Sequence, residues 1–460
     1  MSGYKFSREP VVVPLVNTNN RVIKTSIPAP GTRESLEEIE KFESRSMQGQ
    51  MPIVWDSAEN FNLKDKHGNK WIDFTSTIFV SNVGHANKAV CDAAKSIIDK
   101  PLLHTYAYLN EERISYHKKL IAFAGHPFDK AFLMSAGTEA TEAALKLMRL
   151  NAKKENKRSP GIICLEGNWH GRTMGAQMMS GNVAQKAWIG YHDPNIYHIK
   201  FPYPWEVEEN KGAEFLDVEL AKLEKIGIDI SQDICGFMLE SFQGWGAIFY
   251  PIDFVQAVEK TCRRYQILLT FDEMQSGFAR TGRKFGYEHY GVTPDLLCCG
   301  KGISSGFPLS AVIGRREVMD LPDVGNMSST HSANPLACAV GSATLDEIER
   351  LDLVTETERK GRILFEKLNK IKSTYPEKIS LVLGHGLLAA IHFKTREGGP
   401  DHLFPSTVCE RAMQSGLLLV HTGRESIKIG PPLTITDEAL VEGLDVLADI
   451  ITELHNCTTA

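Results

Sequence analysis

The sequence predicts an α/β fold with a mostly parallel sheet in a large domain and a smaller α+β domain. From about residue 130, short continuous apolar runs alternate with helical stretches: Ala131–Met134, Gly161–Leu165, Ile234–Leu239, Ile267–Phe271, Leu296–Cys299 and Ala311–Ile313. Runs without polar alternation are typical of strands that are covered by helices on both faces. The intervening stretches are long enough for parallel crossover connections.

The two ends of the chain carry a different pattern. Residues 60–65 and 70–74 are alternating runs around His67-Gly68-Asn69, which predicts an antiparallel hairpin. A helical stretch from Leu336 to Leu368, several apolar runs and a final helix over Asp437–Leu454 follow the large domain. We therefore expect residues 1–80 and 336–460 to build the small domain and residues 81–335 the large one.

Composition excludes several classes of protein. A formal net charge of −6 gives no electrostatic reason to expect a nucleic-acid partner. No apolar run reaches the 18 or so residues of a membrane span. The nine cysteines contain no Cys-x-x-Cys pair, and His85, His104, His170 and His331 follow no metal-ligand spacing, so we expect no metal and a structural role for most of these histidines. These features and the absence of a secretory signal pattern predict a cytoplasmic protein.

Lys301 and Asp272 are the strongest catalytic candidates. Asp272 ends the apolar run Ile267–Phe271, and Lys301 follows the run Leu296–Cys299 closely. Because the carboxyl ends of parallel strands converge on one ligand crevice, we expect the two side chains at the same rim. A lysine that forms a Schiff base and an acid that keeps a pyridine nitrogen protonated are what pyridoxal 5'-phosphate requires.

A candidate phosphate site follows the first of these runs. Ser135-Ala136-Gly137-Thr138-Glu139 stands between Ala131–Met134 and a helical stretch. Gly137 permits close backbone approach, and Thr138 is expected to cap the helix and donate a hydroxyl. Free N–H groups and the helix dipole favour an anion there.

Two further runs end in candidate cofactor or substrate residues. Trp169 is placed either to stack on a cofactor ring or to fill the core, and Arg172 either to bind a substrate carboxylate or to serve structure. Glu240 ends Ile234–Leu239 and is expected either to order hydrogen bonds near a pyridine ring or to cap a loop.

The motifs together resemble the class III aminotransferases, which are fold-type I pyridoxal phosphate enzymes. The resemblance is carried by Ser-x-Gly-Thr-Glu from Ser135, Trp-His-Gly-Arg-Thr from Trp169, Glu-x-x-Gln-Gly from Glu240, Asp-Glu-x-Gln-x-Gly-x-x-Arg-Thr-Gly from Asp272, and Gly-Lys-Gly around Lys301. It extends from about Pro52 to Ile450. The resemblance implies a homodimer with shared active sites that moves an amino group from an amine or ω-amino acid to a keto acid (pyruvate or 2-oxoglutarate) by a ping-pong mechanism.

The resemblance also implies a role for each matching residue. Lys301 would be the Schiff-base lysine and Asp272 the partner of the pyridinium, while Gln275 would face the phenolic oxygen of the cofactor. The other cofactor-binding positions would be Ser135, Gly137, Thr138, Trp169, Glu240 and Thr330, the last reaching the phosphate in the neighbouring subunit.

Two departures from the family pattern affect the substrate. Trp245 stands where glutamate-using members carry an acid, and Lys428 stands where they carry its arginine partner. We expect a rebuilt switch between the two substrates, with Arg172, Arg424 or Lys428 receiving the keto acid, although Lys428 pointing to solvent is equally compatible. Trp245, Ile78, Phe79 and Tyr106 would make the pocket apolar.

Two other functions stay open at this point. A racemase or epimerase on the same scaffold would keep both Lys301 and Asp272, and it needs no switch because only one substrate binds. A non-catalytic binding protein would be expected to lack one of these residues, and both are present.

Overall fold

The fold is described from a computed structural model that covers residues 3–49 and 51–459. The strands β1 to β17, in chain order, are Val16–Asn17, Val22–Ile23, Ser57–Glu59, Asn62–Lys64, Lys70–Asp73, Lys130–Met134, Gly161–Leu165, Ile196–Ile199, Ile234–Glu240, Leu268–Asp272, Leu296–Cys299, Ser310–Gly314, Ile379–His385, Leu388–Phe393, Leu417–Leu418, Val420–His421 and Ser426–Ile429.

The helical segments α1 to α15, in the same order, are Thr32–Ile39, Ser76–Phe79, Lys88–Asp99, Glu111–Ala124, Gly137–Lys154, Met174–Met179, Val183–Lys186, Gly212–Lys225, Ile230–Asp233, Ile252–Tyr265, Arg316–Met319, Pro335–Arg350, Leu353–Thr374, Phe404–Gln414 and Asp437–Thr459. Within the part of the chain that the structure describes, no helix is both long enough and apolar enough to cross a membrane.

The chain divides into two compact units. Unit 1 consists of Met1–Asn87, Trp245–Ala247 and Thr355–Ala460, and unit 2 of Lys88–Gly244 and Ile248–Val354.

Unit 2 is built on a seven-stranded sheet in the order β6-β12-β11-β10-β9-β7-β8. Strands β11, β10, β9, β7 and β8 are parallel, which confirms the α/β prediction. Helix α5 packs against β6, β9, β10, β11 and β12, and it buries Ala140, Ala144, Leu147 and Met148 at helical spacing. This packing fixes the carboxyl ends of the parallel strands relative to the start of α5.

Strand β12 departs from the predicted parallel pattern because it is antiparallel to both β11 and β6. Only Gly300 to Leu309 separate β11 from β12, and this segment contains no α-helix that could form a crossover. The apolar run could not reveal the direction because a strand buried on both faces has the same composition in either orientation.

Unit 1 contains two sheets. The first has the order β1-β2-β5-β4-β3, with β15 paired to β5, and its β4–β5 pair is the predicted antiparallel hairpin. The second has the order β13-β14-β17-β16 and is antiparallel throughout. The helical stretch predicted from Leu336 is interrupted, since α12 ends at Arg350 and Asp352 adopts a positive φ of 44° before α13 begins.

Candidate active site

Three neighbouring strands of unit 2 deliver polar side chains to the same rim of the sheet. Asp272 is the last residue of β10 and lies opposite Glu240, the last residue of β9. On its other side Asp272 lies opposite Cys298 in β11, and Lys301 follows three positions later. The strands are parallel, so the rim gathers two carboxyl groups and one amine, as the sequence predicts.

Lys301 has an unusual backbone and an unusual environment. It follows the extended residue Gly300 and adopts φ of +46°, a left-handed conformation that costs a non-glycine residue about 1–3 kcal/mol. The residue is only partly accessible, and burial of the amine lowers its pKa, while negative charge on the neighbouring carboxyl groups of Asp272 and Glu240 would act in the opposite direction. A lowered pKa leaves a larger fraction of the amine unprotonated at neutral pH, and only the unprotonated amine can act as a nucleophile or a base.

Asp272 is buried and held by two donors on different segments. Its Oδ1 accepts a hydrogen bond from the backbone N–H of Met274 at 3.1 Å, and its Oδ2 lies 3.0 Å from Nδ1 of His170. These contacts suit a carboxylate that keeps its negative charge in a buried setting.

His170, one of the four histidines for most of which the sequence predicts a structural role, lies at the site. Its backbone N–H donates to Ser180 Oγ at 2.9 Å, and its carbonyl accepts from Thr141 Oγ1 at 2.8 Å, so the imidazole is held in place against Asp272. Its Nε2 is buried and has no hydrogen-bond partner among the described residues. The sequence feature that could have identified His170 as a site residue is its position directly after Trp169, at the carboxyl end of β7.

The start of α5 forms the candidate phosphate site. Gly137 and Thr138 are the first residues of this helix, where N–H groups have no acceptor within the helix. A Cβ on Gly137 would lie 2.8 Å from Sδ of Met274, so a larger residue there would displace the end of the Met274 side chain. The expectation that Thr138 caps the helix is wrong.

The capping role falls to Glu139, whose Oε2 accepts from the backbone N–H groups of Ser135 and Ala136, both at 2.8 Å. The hydroxyl of Thr138 lies instead 2.6 Å from that of Thr173. Glu139 can accept from the backbone N–H groups of Ser135 and Ala136, whereas Thr138 is already inside the helix and its side chain cannot reach them.

Trp169 and Arg172 form one cluster beside this site. The Arg172 guanidinium lies over the Trp169 ring, 4.6 Å from its centroid, and Arg172 is exposed. The backbone N–H of Trp169 donates to Glu240 Oε2 at 3.0 Å. The structure thus joins Trp169 to both Arg172 and the rim.

Glu240 and Gln275 approach each other at Gly244. A Cβ on Gly244 would lie 2.3 Å from Gln275 Nε2 and 2.9 Å from Glu240 Oε1. Burial and the neighbouring charge of Asp272 raise the pKa of Glu240 to about 8.

Thr330 and Tyr106 lie on the surface of unit 2. Thr330 is exposed, and its carbonyl is 2.7 Å from Nε2 of His104. Tyr106 is 46% exposed, and its carbonyl accepts from Arg113 Nη1 at 3.2 Å.

The remaining predicted substrate residues lie in unit 1 as two pairs of a cation and an aromatic ring. Arg424 lies over the Trp245 ring at 3.6 Å from the centroid, and Lys428 Nζ lies 4.8 Å from the centroid of Phe79. Lys428 is only 6% exposed, so the alternative of a solvent-pointing lysine is wrong. Ile78 is half-exposed within the turn that contains Phe79.

These residues fit pyridoxal 5'-phosphate. Lys301 offers a desolvated amine to an aldehyde, Asp272 offers a buried acid to a pyridine nitrogen, and the start of α5 offers N–H groups to a phosphate.

Comparison with known proteins identifies the family. The model of the family "Aminotransferase class-III" matches residues 44–451. The chain is 32% identical to the mitochondrial acetylornithine aminotransferase of Candida glabrata, over 86% of this chain and 90% of that protein. It is 30% identical to the 4-aminobutyrate aminotransferase of Mycobacterium leprae, over 94% of this chain and 98% of that protein.

A solved structure agrees with these sequence matches. The PLP-bound crystal structure of an amine transaminase from an uncultivated Pseudomonas species superposes with a TM-score of 0.81 and 25% identity, covering 90% of this chain and 97% of that one. These relatives are aminotransferases and give no support to a racemase. The chain therefore belongs to the class III aminotransferases and uses pyridoxal 5'-phosphate as its cofactor.

Proposed function

We propose that this aminotransferase carries its cofactor on Lys301 and transfers the amino group of an amine or ω-amino acid to a keto acid such as pyruvate or 2-oxoglutarate. The observation that carries the proposal is the register of β9, β10 and β11, which delivers Glu240, Asp272 and Lys301 to one rim. Lys301 alone supplies the amine that the proposed Schiff base and proton transfer require.

When bound, pyridoxal 5'-phosphate supplies an aldehyde for covalent attachment and a ring that accepts electrons. Lys301 would hold the aldehyde, and its amine, when free, would act as the base that takes the proton from the substrate carbon. Asp272 would keep the pyridine nitrogen protonated, and His170 holds Asp272 in position.

We assign the remaining cofactor contacts by the same reasoning. The phosphate is assigned to Ser135, Gly137 and Thr138 at the start of α5, since N–H groups at a helix N-terminus favour an anion. Trp169 is assigned to the ring face and Gln275 to the phenolic oxygen.

The substrate assignment rests on the two departures from the family pattern, at Trp245 and Lys428. An amine donor without an α-carboxylate has no use for a permanent acid–arginine pair, and Trp245 and Lys428 replace that pair. We assign the carboxylate of the keto acid to one of Arg172, Arg424 and Lys428, and apolar contacts to Trp245, Ile78, Phe79 and Tyr106. Two of the relatives, named acetylornithine and 4-aminobutyrate aminotransferases, favour a donor whose reactive amine is terminal, whereas a third, 32% identical and named 2-aminoadipate transaminase, has an α-amino acid in its name.

We propose a homodimer in the cytoplasm. The exposed position of Thr330 suits a residue that completes the phosphate site of the partner subunit. The cysteines are free, as is usual in a reducing compartment.

The test is the absorbance of purified protein, loaded with pyridoxal 5'-phosphate and mixed with excess amine without keto acid. Loss of the visible cofactor band, with its return after adding a keto acid, is the expected result. A band that persists while solvent deuterium enters the substrate α-carbon would contradict amino-group transfer. Comparing terminal amines with α-amino acids tests the donor class.

A further inference from the structure

Glu240 and Asp272 are directly opposed on neighbouring strands, and each is about 5% exposed or less. Two carboxyl groups in adjacent positions of a poorly solvated site do not both ionise readily, because burial and mutual repulsion each oppose the second charge. A negative charge on one of the two carboxyl groups therefore opposes ionisation of the other.

The hydrogen bonds indicate which residue carries that charge. Asp272 is contacted on both oxygens, by the Met274 amide on Oδ1 and by the His170 imidazole on Oδ2. Glu240 accepts two neutral amides on one oxygen, from Trp169 at 3.0 Å and Gly244 at 3.5 Å, the second at the limit of a hydrogen bond. Asp272 is thus the better-stabilised carboxylate, and burial together with Asp272 raises the pKa of Glu240 to about 8.

The titratable groups that face Glu240 from the surrounding segments are Asp272 on β10, Lys301 after β11 and Tyr250 before α10. Of these, only Lys301 carries a positive charge when protonated. When the amine of Lys301 is free, Glu240 and Lys301 can be either both ionised or both neutral without changing the net charge. Burial favours the neutral pair because two ions lose more hydration than their attraction returns.

We propose that Glu240 is a positioning residue that stays a protonated carboxylic acid, so that Asp272 alone carries negative charge at the rim and the amine of Lys301 stays neutral whenever it is free of the cofactor. The inference rests on the proposed role of Lys301 as the cofactor lysine. Its consequence is chemical: ionised Glu240 would stabilise the ammonium form of Lys301, which is neither a nucleophile nor a base. Glu240 thereby acts through Lys301 without contacting the substrate.

The direct test is infrared difference spectroscopy of the holoenzyme, wild type minus Glu240→Gln. At pH 7 the difference should contain the carbonyl stretch of a protonated carboxyl group, shifted in D2O and lost as the pH rises above 8. In Asp272→Asn the loss should move to lower pH because the repelling charge is gone. A difference that contains only carboxylate bands at pH 7 would overturn the proposal, and an unmoved midpoint in Asp272→Asn would overturn the effect of the Asp272 charge on Glu240.

A second readout separates this role from a structural one. About one part in ten of Glu240 remains protonated one pH unit above its pKa, whereas the glutamine of Glu240→Gln does not titrate. The rate of the amine half-reaction in Glu240→Gln, divided by the wild-type rate, should therefore rise about tenfold between pH 7 and pH 9. A ratio that stays constant would overturn the proposal. The visible cofactor band of the same wild-type samples tests the proposed function independently. Absence of that band would contradict the proposed function, whereas a normal band with a failed infrared test would contradict only the protonation of Glu240.

Discussion

Nδ1 of His170 lies 3.0 Å from Oδ2 of Asp272, and both side chains are buried. This contact links the residue after Trp169 to the acid at the centre of the site. The imidazole is itself fixed through its backbone by Ser180 and Thr141. Asp272 therefore has a defined orientation before any ligand arrives.

Removing the His170 donor should weaken catalysis through Asp272. A hydrogen bond to a charged group contributes about 1.5–3 kcal/mol, so His170→Leu should slow the amine half-reaction by roughly ten- to a hundredfold. His170→Asn, which can place an amide N–H near the position of Nδ1, should recover most of the rate. Stopped-flow absorbance checks both variants. Equal rates for His170→Leu and wild type would contradict the role of this contact.

The stability of the enzyme should report the protonation of Glu240. Its pKa rises from 4.5 to about 8 on folding, so the folded state holds this proton more tightly than the unfolded state. The associated stability is fully present below pH 4.5 and is lost as the pH rises to about 8. The difference in Tm, Glu240→Gln minus wild type at equal cofactor loading, should therefore increase from pH 5 to pH 8.

Glu356→Gln is the matched control for that series. Arg359 lowers the pKa of Glu356, so this carboxylate is ionised in both states above pH 5 and its Tm difference should be level. A level difference for Glu240→Gln as well would contradict the raised pKa.

The ring of Phe79 occupies the space that a side chain at Gly430 would need. A Cβ there would lie 2.0 Å from Phe79 Cε1, and Phe79 is buried. Gly430→Ala should lower the free energy of unfolding by about 1–3 kcal/mol. Adding Phe79→Leu should restore part of the loss, and Gly399→Ala, which meets only Thr395 Oγ1 at 3.7 Å, should be neutral. Urea titration of all variants provides the measurement, and a neutral Gly430→Ala would contradict this packing.

The turn over Ser76–Phe79 is left-handed at every residue, with φ from 40° to 66°. A left-handed non-glycine residue costs about 1–2 kcal/mol, whereas glycine loses about 0.5–1 kcal/mol through its freer unfolded chain. Ile78→Gly should therefore raise Tm slightly, while Val80→Gly, at φ of −94°, should lower it. A lower Tm for Ile78→Gly would show that side-chain contacts outweigh the backbone strain.

Lys428 tests the substrate assignment. Lys428→Ala should raise KM for the keto acid by roughly tenfold through loss of a buried cation, while the amine half-reaction changes less than about threefold. Lys428→Arg keeps the charge and should show a smaller increase. An unchanged keto-acid half-reaction in Lys428→Ala would remove this residue from the assignment.

Much of unit 2 could be predicted because its strands are continuous apolar runs. Gly161–Leu165 and Leu296–Cys299 have the same bounds in sequence and structure. Strand Ile196–Ile199 was missed because Tyr197 and His198 interrupt its apolar character at the edge of the sheet. Polar residues are tolerated there because an edge strand is only partly covered.

The rim could be predicted from strand ends, but contacts between side chains could not. Asp272 and Lys301 follow apolar runs, which places both at one edge of a parallel sheet. The pairing of His170 with Asp272 depends on the loop after β7, and the position of Lys428 over Phe79 depends on a left-handed turn that no sequence period reveals. Sequence spacing carries no information about such tertiary contacts.

The most direct test of the account is borohydride reduction of the holoenzyme followed by peptide mass mapping. Reduction fixes the cofactor to the lysine that holds it. The added mass is expected on the peptide that contains Lys301, and no stable label is expected at that peptide in Lys301→Ala. A label on a different lysine of the wild-type protein would contradict the assignment of Lys301 as the catalytic residue.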